Sequence, residues 1–302
     1  YYGNTTGAVD MSAYKFNAEG GVGQADWVEL IDLPDDYRGR FKRDDLKRGK
    51  KFADLVNSAI SNLMSKQIGL AGFVAETFPS VAGQIIPPEG YLKNIYQHIR
   101  EAGGLCVADE VQTGIARTGS MLAVCGDCSC GNTCERQSTY AKPDVLILGK
   151  ALSGGVYTVS AVLADDIVMD VIKPGQHGST FGGNPIAAEV AMAALEVVKD
   201  EGLAPHARAL GNYFREEMTN IIKETDLITK VRGKGLLNAI IINDTPDSST
   251  AWDICMALKN NGLLAKPTHG NIIRFAPPLV MTLEQMMECV AIIRKTLLDF
   301  KK

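Results

Sequence analysis

The sequence predicts an α/β fold with a mostly parallel sheet, followed by a smaller α+β domain. Between residues 52 and 198, short apolar runs alternate with stretches of helical periodicity, which is typical of βα units around a buried sheet. After about residue 202, long helices and a strand region broken by glycines replace this alternation. We therefore expect a large domain over residues 1–201 and a small domain over residues 202–302.

The elements of the large domain follow from apolar spacing and from the residues that end each run. A charge-dense stretch at residues 35–51 is expected to be a solvated loop. Helical spacing then predicts helices at 52–65, at 91–102, where Gly103 and Gly104 follow, and at 185–198. The apolar runs of strand length lie at 70–75, 105–108, 145–148 and 159–163.

The small domain is expected to begin with a helix over 205–223. A strand-like stretch over 230–242 follows, and Gly233 and Gly235 interrupt it. The same patterns predict a helix over 250–260, a strand over 272–275 and a closing helix over 283–299. This order of strands and helices is typical of an α+β unit.

Composition narrows the classes of function. The 302 residues carry 31 Lys+Arg against 35 Asp+Glu, for a net charge of -4. A general nucleic-acid binder needs a basic surface to neutralise phosphates, so this balance argues against one. The sequence has no apolar run near the roughly 18–20 residues of a membrane helix. We expect a soluble globular protein with neither a membrane nor a nucleic acid as partner.

The chain begins Tyr1-Tyr2-Gly3-Asn4, without an initiator Met or a signal-like segment. We expect an internal start, with the first part of the large domain missing. The odd total of seven cysteines and the absence of a secretory signal favour a reducing compartment, either the cytoplasm or the mitochondrial matrix. Three scattered cysteines in apolar surroundings are expected to be small buried hydrophobes: Cys106, Cys255 and Cys289.

Four further cysteines crowd into one polar segment, at Cys125, Cys128, Cys130 and Cys134. This C-x2-C-x-C-x3-C pattern is dense enough for a zinc site or a thiol-redox site. Its spacing matches no standard zinc finger, and no second distant pair accompanies it. A metal site, a redox or disulfide site, and an inert exposed loop all remain open.

Three of the predicted strands end in chemically useful residues: Glu76, Asp109 and Lys150. In parallel α/β sheets, ligands bind at the carboxyl edge of the strands. A lysine at the margin of a core can lose hydration, which lowers its pKa and makes the amine a nucleophile toward carbonyls. Taken alone, Lys150 fits a surface lysine with a buried stem, and Asp109 fits a helix cap or ion-pair partner.

Taken together, Lys150 and Asp109 suggest a site for pyridoxal 5′-phosphate. The lysine would hold the aldehyde as a Schiff base, while the carboxylate would keep the pyridine nitrogen protonated. A glycine-rich segment with hydroxyl groups, residues 177–185, precedes a predicted helix. Such a segment suits a phosphate or a tightly packed turn.

Three stretches resemble the class III aminotransferases, which are fold-type I pyridoxal-phosphate enzymes: residues 108–114, 148–155 and 177–185. Beyond about Ile115 the resemblance narrows to the ornithine aminotransferases. It is carried there by residues 115–119, 159–163, 231–240, 264–269 and 273–279. Thr158, just before the second of these, stands where the family usually has a proline. The resemblance implies a fold-type I large domain with a small C-terminal domain.

The resemblance also implies roles for individual residues. Lys150 would be the Schiff-base lysine and proton shuttle, and Asp109 would pair with the pyridinium. Tyr1 would stack on the cofactor ring, and Gln112 would lie near the ring's phenolic oxygen. The remaining implied contacts are those of Ser179 and Thr180 with the phosphate of a neighbouring subunit in a homodimer, and those of Arg274 with a substrate carboxylate. Glu76, at its strand end, is a further candidate for a substrate contact.

The first hundred residues resemble a different branch of the class, which contains the amine phospho-lyases and related bacterial aminotransferases. The stretches that carry this resemblance are 34–39, 75–88 and 98–104. Val81 stands where ornithine-type enzymes carry a Glu that masks the equivalent of Arg274, and Asn4 stands where they carry an Arg. These differences favour ordinary α-amino acids as donors. The two halves of the chain therefore disagree about the amino donor. The resemblance as a whole implies amino transfer from an amino acid, ornithine or a related amine, to a 2-oxo acid such as 2-oxoglutarate. A phospho-lyase and a truncated, inactive paralogue are the alternatives.

Overall fold

A computed structural model describes residues 1–125 and 141–301. By its internal contacts the described chain forms two compact units. The first comprises residues 1–77, 87–112 and 141–193, and the second comprises 78–86, 113–125 and 194–301. The second unit therefore takes in two short segments from the first half of the chain. The expected boundary between residues 201 and 202 stays a prediction.

The first unit is built around a four-stranded sheet in the order β1-β2-β3-β4. Strands β1, β2 and β3 are parallel, while β4 is antiparallel to β3. The strands are β1 (Gly72–Glu76), β2 (Leu105–Asp109), β3 (Val145–Leu148) and β4 (Ala161–Ala164). The helices are α1 (Thr6–Asp10), α2 (Ala13–Phe16), α3 (Arg48–Asp54), α4 (Val56–Ser65), α5 (Tyr91–Glu101), α6 (Asp166–Met169) and α7 (Pro185–Asp200), the end of α7 belonging to the second unit.

Helices α3, α4 and α5 cover one part of this sheet through a shared apolar cluster. Phe52 of α3 and Ile95 of α5 are fully buried in it, and Cys106 of β2 lies against the same cluster. Burial raises the pKa of the Cys106 thiol to about 12, so it remains protonated and packs as a small apolar side chain. Gly103, with φ of 86°, ends α5 in the left-handed conformation that glycine adopts without a Cβ clash.

The second unit contains an antiparallel sheet in the order β5-β6-β8-β7. Its strands are β5 (Ile228–Lys234), β6 (Leu237–Ile242), β7 (Lys266–Thr268) and β8 (Ile272–Phe275), and its helices are α8 (Leu203–Ile221), α9 (Thr250–Asn260) and α10 (Leu283–Asp299). Strand β6 is buried along its whole length, and its apolar side chains and those of α8 belong to the same hydrophobic core. Thr282 and Gln285 form a capping box that starts α10.

Most predicted elements are present, with local differences. The helix expected over 52–65 is two helices, α3 and α4, which meet at Leu55, and α3 already begins inside the charged stretch at Arg48. The stretch over 230–242 is a hairpin, because Gly235 turns the chain at a φ of 53°. Strand β7 was not predicted, since its three residues include Pro267 and show no alternation.

Two further expectations can be compared with the described residues. Cys106 and Cys255 are buried as expected, whereas Cys289 is only half-buried. Over residues 1–125 and 141–301, no helix combines the length and apolar character that a membrane crossing requires.

Candidate functional site

The parallel strands of the first unit bring three of the predicted residues to one sheet edge. Glu76 ends β1 and pairs in register with Asp109, which ends β2. Strand β3 runs parallel to β2, with Ile147 beside Asp109, and Lys150 follows two residues after β3 ends. This common edge arises because parallel strands all present their carboxyl ends on the same side.

Asp109 is a buried carboxylate with both oxygens engaged. Its side chain is 1% exposed. Oδ1 accepts a hydrogen bond from the backbone N–H of Val111 at 2.9 Å, and Oδ2 accepts one from the amino group of Tyr1 at 2.7 Å. Burial raises the pKa of the Tyr2 phenol, and the nearby Asp109 carboxylate adds to the rise. A buried carboxylate at a sheet edge is suited to hold a cationic N–H donor.

Lys150 leaves β3 in a strained conformation. Its φ of 46° lies in the left-handed region, and it begins a short 3₁₀ turn over Lys150–Ser153. Its Nζ atom lies 3.3 Å from the centroid of the Tyr1 ring, a cation–π contact, although the residue as a whole is exposed. Non-glycine residues in this region cluster at functional sites, where the surrounding structure enforces them.

Tyr1 contacts both Asp109 and Lys150, the two residues expected to hold pyridoxal phosphate. It presents a flat aromatic ring to the Lys150 amine and a cationic N–H group to the Asp109 carboxylate. The buried Asp109 carboxylate and the Lys150 amine at one sheet edge therefore fit the pyridinium and the aldehyde of pyridoxal phosphate.

Gln112 and Glu76 are joined by a hydrogen bond that the sequence did not predict. Gln112 Nε2 donates to Glu76 Oε1 at 3.1 Å. The only available signal was that Glu76 ends a strand beside Asp109, while Gln112 follows the end of the next strand. The bond orients the amide of Gln112 at the same sheet edge.

The loop before α7 is exposed. The Ser179 hydroxyl accepts a hydrogen bond from the N–H of Gly182 at 2.9 Å, and Asn184 Oδ1 accepts one from the N–H of Ala187 near the start of α7. Within the described part of this single chain, no hydrogen bond joins Ser179 or Thr180 to the Asp109 carboxylate. The loop thus presents its hydroxyl groups to the outside.

Arg274 belongs to the second unit and extends from β8. Its Nη1 donates to the backbone carbonyl of Ser80 at 3.3 Å. Its Nε is buried and has no hydrogen-bond acceptor among the described residues. A buried N–H group without an acceptor costs free energy, so a ligand oxygen at this position would be stabilised.

The cysteine-rich segment lies almost wholly outside the described residues. Cys125 is described and is half-buried, whereas Cys128, Cys130 and Cys134 lie outside the described residues. In the described ranges, 1–125 and 141–301, no cluster of three or more His, Cys, Asp or Glu residues could hold a metal ion. The three readings of this segment stay predictions.

Comparison with known proteins assigns a family. The family model described as aminotransferase class-III matches residues 1–297. The mitochondrial ornithine aminotransferase of Drosophila melanogaster is 52% identical over 234 residues, which is 78% of this chain and 50% of the fly protein. The rat enzyme of the same name is 49% identical over 231 residues, 76% of this chain and 49% of its own length. The chain thus spans about half the length of the curated relatives it matches.

Solved structures agree with this assignment. An acetylornithine aminotransferase from Elizabethkingia anophelis is 55% identical with a TM-score of 0.70, covering 86% of this chain and 62% of its own. An ornithine aminotransferase from Toxoplasma gondii is 37% identical with a TM-score of 0.79, covering 99% of this chain and 62% of its own. That structure is described as having partial occupancy of pyridoxal phosphate at its active site.

Proposed function

The chain belongs to the class III aminotransferases, and from this premise we propose that it moves an amino group from an amino acid to a 2-oxo acid with pyridoxal 5′-phosphate. The observation that carries the proposal is the pair formed by Asp109 and Lys150 at one sheet edge, both in contact with Tyr1. A buried carboxylate facing a cationic N–H donor, with a lysine amine over an aromatic ring, is the arrangement this chemistry needs.

When bound, pyridoxal phosphate supplies an aldehyde that condenses with amines and a protonated ring that accepts the electrons of a carbanion. Asp109 would keep the ring nitrogen protonated, because its buried carboxylate stabilises a cationic N–H group. Lys150 would hold the cofactor through its amine and would carry a proton to and from the donor. Gln112, oriented by its bond to Glu76, would lie near the phenolic oxygen of the ring, and Glu76 would border the donor.

Arg274 binds the carboxylate of the substrate. A guanidinium group offers parallel N–H donors that match a carboxylate, and the buried Nε of Arg274 supports this role because it lacks an acceptor among the described residues. The donor is ornithine or a related amine, as the names of the relatives indicate.

The residue at position 81 bears on which amine reacts. Val81 precedes Ala82 in the turn whose Ser80 carbonyl accepts from Arg274, and the Val81 carbonyl accepts from the Thr268 hydroxyl at 3.0 Å. A valine side chain cannot neutralise Arg274, so the guanidinium stays available to an α-carboxylate in both halves of the reaction. This favours α-amino acids over the terminal amine of ornithine.

The functional unit is a homodimer. Ser179 and Thr180 lie in an exposed loop whose hydroxyl groups suit the phosphate of a partner subunit's cofactor. The compartment is the mitochondrial matrix or the cytoplasm, and the fly and rat relatives carry the word mitochondrial in their names.

A second activity is supported by one specific observation. Residues 75–88, which include Val81, resemble the branch that contains the amine phospho-lyases and related bacterial aminotransferases rather than the ornithine enzymes. Such an enzyme shares the cofactor and releases inorganic phosphate from a phosphorylated amine.

One experiment separates these readings. The 302-residue chain is loaded with pyridoxal phosphate and screened against amino acids, ornithine and a phosphorylated amine, with 2-oxoglutarate as acceptor. Formation of glutamate supports the aminotransferase, whereas free phosphate supports the phospho-lyase. Failure to develop a visible absorption band with the cofactor, together with formation of neither product, supports the remaining alternative, a truncated chain that binds the cofactor poorly.

A further inference from the structure

A turn at residues 80–83 in the second unit is held by its backbone carbonyls. Four consecutive carbonyl oxygens accept hydrogen bonds from side chains of β5, β7 and β8. The bonds are Arg274 Nη1 to Ser80 at 3.3 Å, Thr268 Oγ1 to Val81 at 3.0 Å, Arg232 Nη2 to Ala82 at 3.5 Å and Arg232 Nε to Gly83 at 2.6 Å. Arginine thus holds both ends of the turn.

The two arginines lie in one row across the sheet. Arg232 of β5 pairs with Ala239 of β6, and Ala239 pairs with Arg274 of β8. Directly paired residues project from the same face, and neighbouring strands are about 4.8 Å apart, so the two arginine backbones are separated by roughly 10 Å. Ala239 is fully buried between them, and its single methyl group leaves room for the turn.

The two side chains are engaged differently. Arg232 is only 7% exposed, and it directs Nε and Nη2 to the carbonyls of Gly83 and Ala82. Arg274 is half-buried and gives one N–H to the Ser80 carbonyl, while its buried Nε has no acceptor among the residues described. Arg232 therefore serves the turn, and Arg274 keeps donor capacity for a ligand.

Gly83 shows how closely the turn approaches Arg232. Its φ of 102° lies in the region that favours glycine. A Cβ atom at this position would lie 2.8 Å from Arg232 Nη2 and 2.6 Å from Ile272 Cδ1. The turn therefore packs directly against Arg232 and against Ile272 of β8.

We propose that Arg232 is a positioning residue that sets the guanidinium of Arg274 for the substrate carboxylate. It fixes the carbonyls of Gly83 and Ala82 and thereby the Ser80 carbonyl on which Arg274 rests. This inference rests on the proposed role of Arg274 in binding that carboxylate. Arg232 itself does not touch the substrate.

The test uses Arg232→Met and Arg232→Lys in the chain loaded with pyridoxal phosphate. Binding of glutarate, a dicarboxylate with no amine or keto group, is measured by calorimetry, and KM and kcat are measured with 2-oxoglutarate. Because small displacements of a positioning group cost up to about a hundredfold, Arg232→Met is expected to raise the Kd of glutarate and the KM by about tenfold, with kcat changing less than about threefold. Arg232→Lys, which keeps one donor, is expected to fall between.

Arg215→Met is the matched control. Arg215 is a half-buried arginine of the same unit that donates to the carbonyl of Gly235 and to Asn238 Oδ1, rather than to the carbonyls of the turn. It is expected to leave glutarate binding unchanged. A donor amine without a carboxylate is expected to react with Arg232→Met as fast as with the unmodified chain, since Arg274 has nothing to bind there.

The outcomes separate the inference from the proposed function. If Arg274→Met leaves glutarate binding unchanged, the role of Arg274 fails. The positioning role of Arg232 is overturned if Arg274→Met weakens glutarate binding but Arg232→Met does not. This comparison requires that Arg232→Met melts at the same temperature as the unmodified chain. Should Arg232→Met fail to fold, Arg232→Lys decides, because unchanged glutarate binding in that variant also overturns it.

Discussion

Lys150 shows how a single residue is set by its position in the chain. It follows strand β3, takes a φ of 46° and starts a 3₁₀ turn, and its Nζ atom lies over the Tyr1 ring. The sequence suggested that the Lys150 amine loses hydration at the margin of a core, but Lys150 is exposed in the structure. The aromatic ring beside Nζ and the buried Asp109 carboxylate define its surroundings instead.

Replacing Lys150 by alanine is expected to abolish covalent attachment of the cofactor and amino transfer while leaving the fold intact. An arginine at this position would not rescue the reaction, because it stays charged and does not attack carbonyls. Borohydride reduction followed by mass spectrometry measures attached cofactor. Lys93→Ala, at an exposed position of α5, is the control and is expected to retain attachment. Cofactor fixed in Lys150→Ala to the same extent would refute the assignment.

At position 81, a glutamate is expected to shift the reaction toward the terminal amine of ornithine. A carboxylate at this position would neutralise the Arg274 guanidinium while the terminal amine reacts, so that Arg274 does not bind the α-carboxylate of ornithine. Charge-assisted contacts contribute about 1.5–3 kcal/mol, so the ratio of δ-amine to α-amine transfer should rise by about tenfold or more. Product analysis with ornithine measures this ratio.

Val81→Gln is the matched control for that change, because it has the size of glutamate without the charge. It is expected to leave the ratio near that of the unmodified chain. An unmodified chain that already transfers the δ-amine as its best reaction, together with no effect of Val81→Glu, would contradict the argument.

At the scale of elements, α8 packs against the hairpin of β5 and β6 through glycines. A Cβ on Gly211 of α8 would lie well inside the van der Waals distance of the Gly235 carbonyl oxygen. Gly235, in turn, faces the backbone of residues 117–119. Arg117 strengthens this junction by donating to the carbonyl of Leu236, and burial lowers the pKa of Arg117 to about 10. Close approach of three backbone segments therefore builds this part of the second unit.

Gly211→Ala is expected to destabilise the chain by about 1–3 kcal/mol, because neither backbone segment can yield without moving a hairpin. Urea unfolding followed by circular dichroism measures the shift in midpoint. Gly7→Ala is the control: Gly7 also lies in a helix, and a Cβ there meets no atom within 4 Å. That variant should be neutral or slightly stabilised, since alanine favours helix more than glycine does. Equal midpoints for the two variants would contradict the packing argument.

For the whole molecule, the exposed loop before α7 is the most informative feature. Phe181 is 84% exposed beside Ser179 and Thr180. A large apolar side chain next to hydroxyl groups suits a surface that a second subunit covers. If the loop completes the partner's cofactor site, each site depends on two chains.

Subunit complementation tests this dependence. Lys150→Ala and Thr180→Ala chains are each expected to have greatly reduced activity alone. Mixed dimers should regain activity, because one of their two sites then combines an intact Lys150 with an intact Thr180 from the other chain. Sedimentation checks the dimer. No recovery in verified mixed dimers would show that Thr180 acts within its own chain, and an active monomer would refute the dimer.

The sequence by itself determined the order of elements wherever local patterns were strong. The helix over Tyr91–Glu101 follows from apolar periodicity and from the glycines after it, and the strands predicted at 105–108 and 145–148 follow from short apolar runs. It also placed Glu76, Asp109 and Lys150 after consecutive apolar runs, so their arrival at one edge follows from parallel pairing. Such features depend on neighbours along the chain, which a sequence displays directly.

Only the tertiary structure decided the contacts between distant segments. The turn at residues 80–83 rests on arginines about 150 positions or more away, and Tyr1 meets Asp109 across 108 positions. Strand β7, too short to show a period, exists because β8 supplies its hydrogen bonds. No local propensity encodes these pairings, because their free energy comes from burial and hydrogen bonds that form only when the chain has folded.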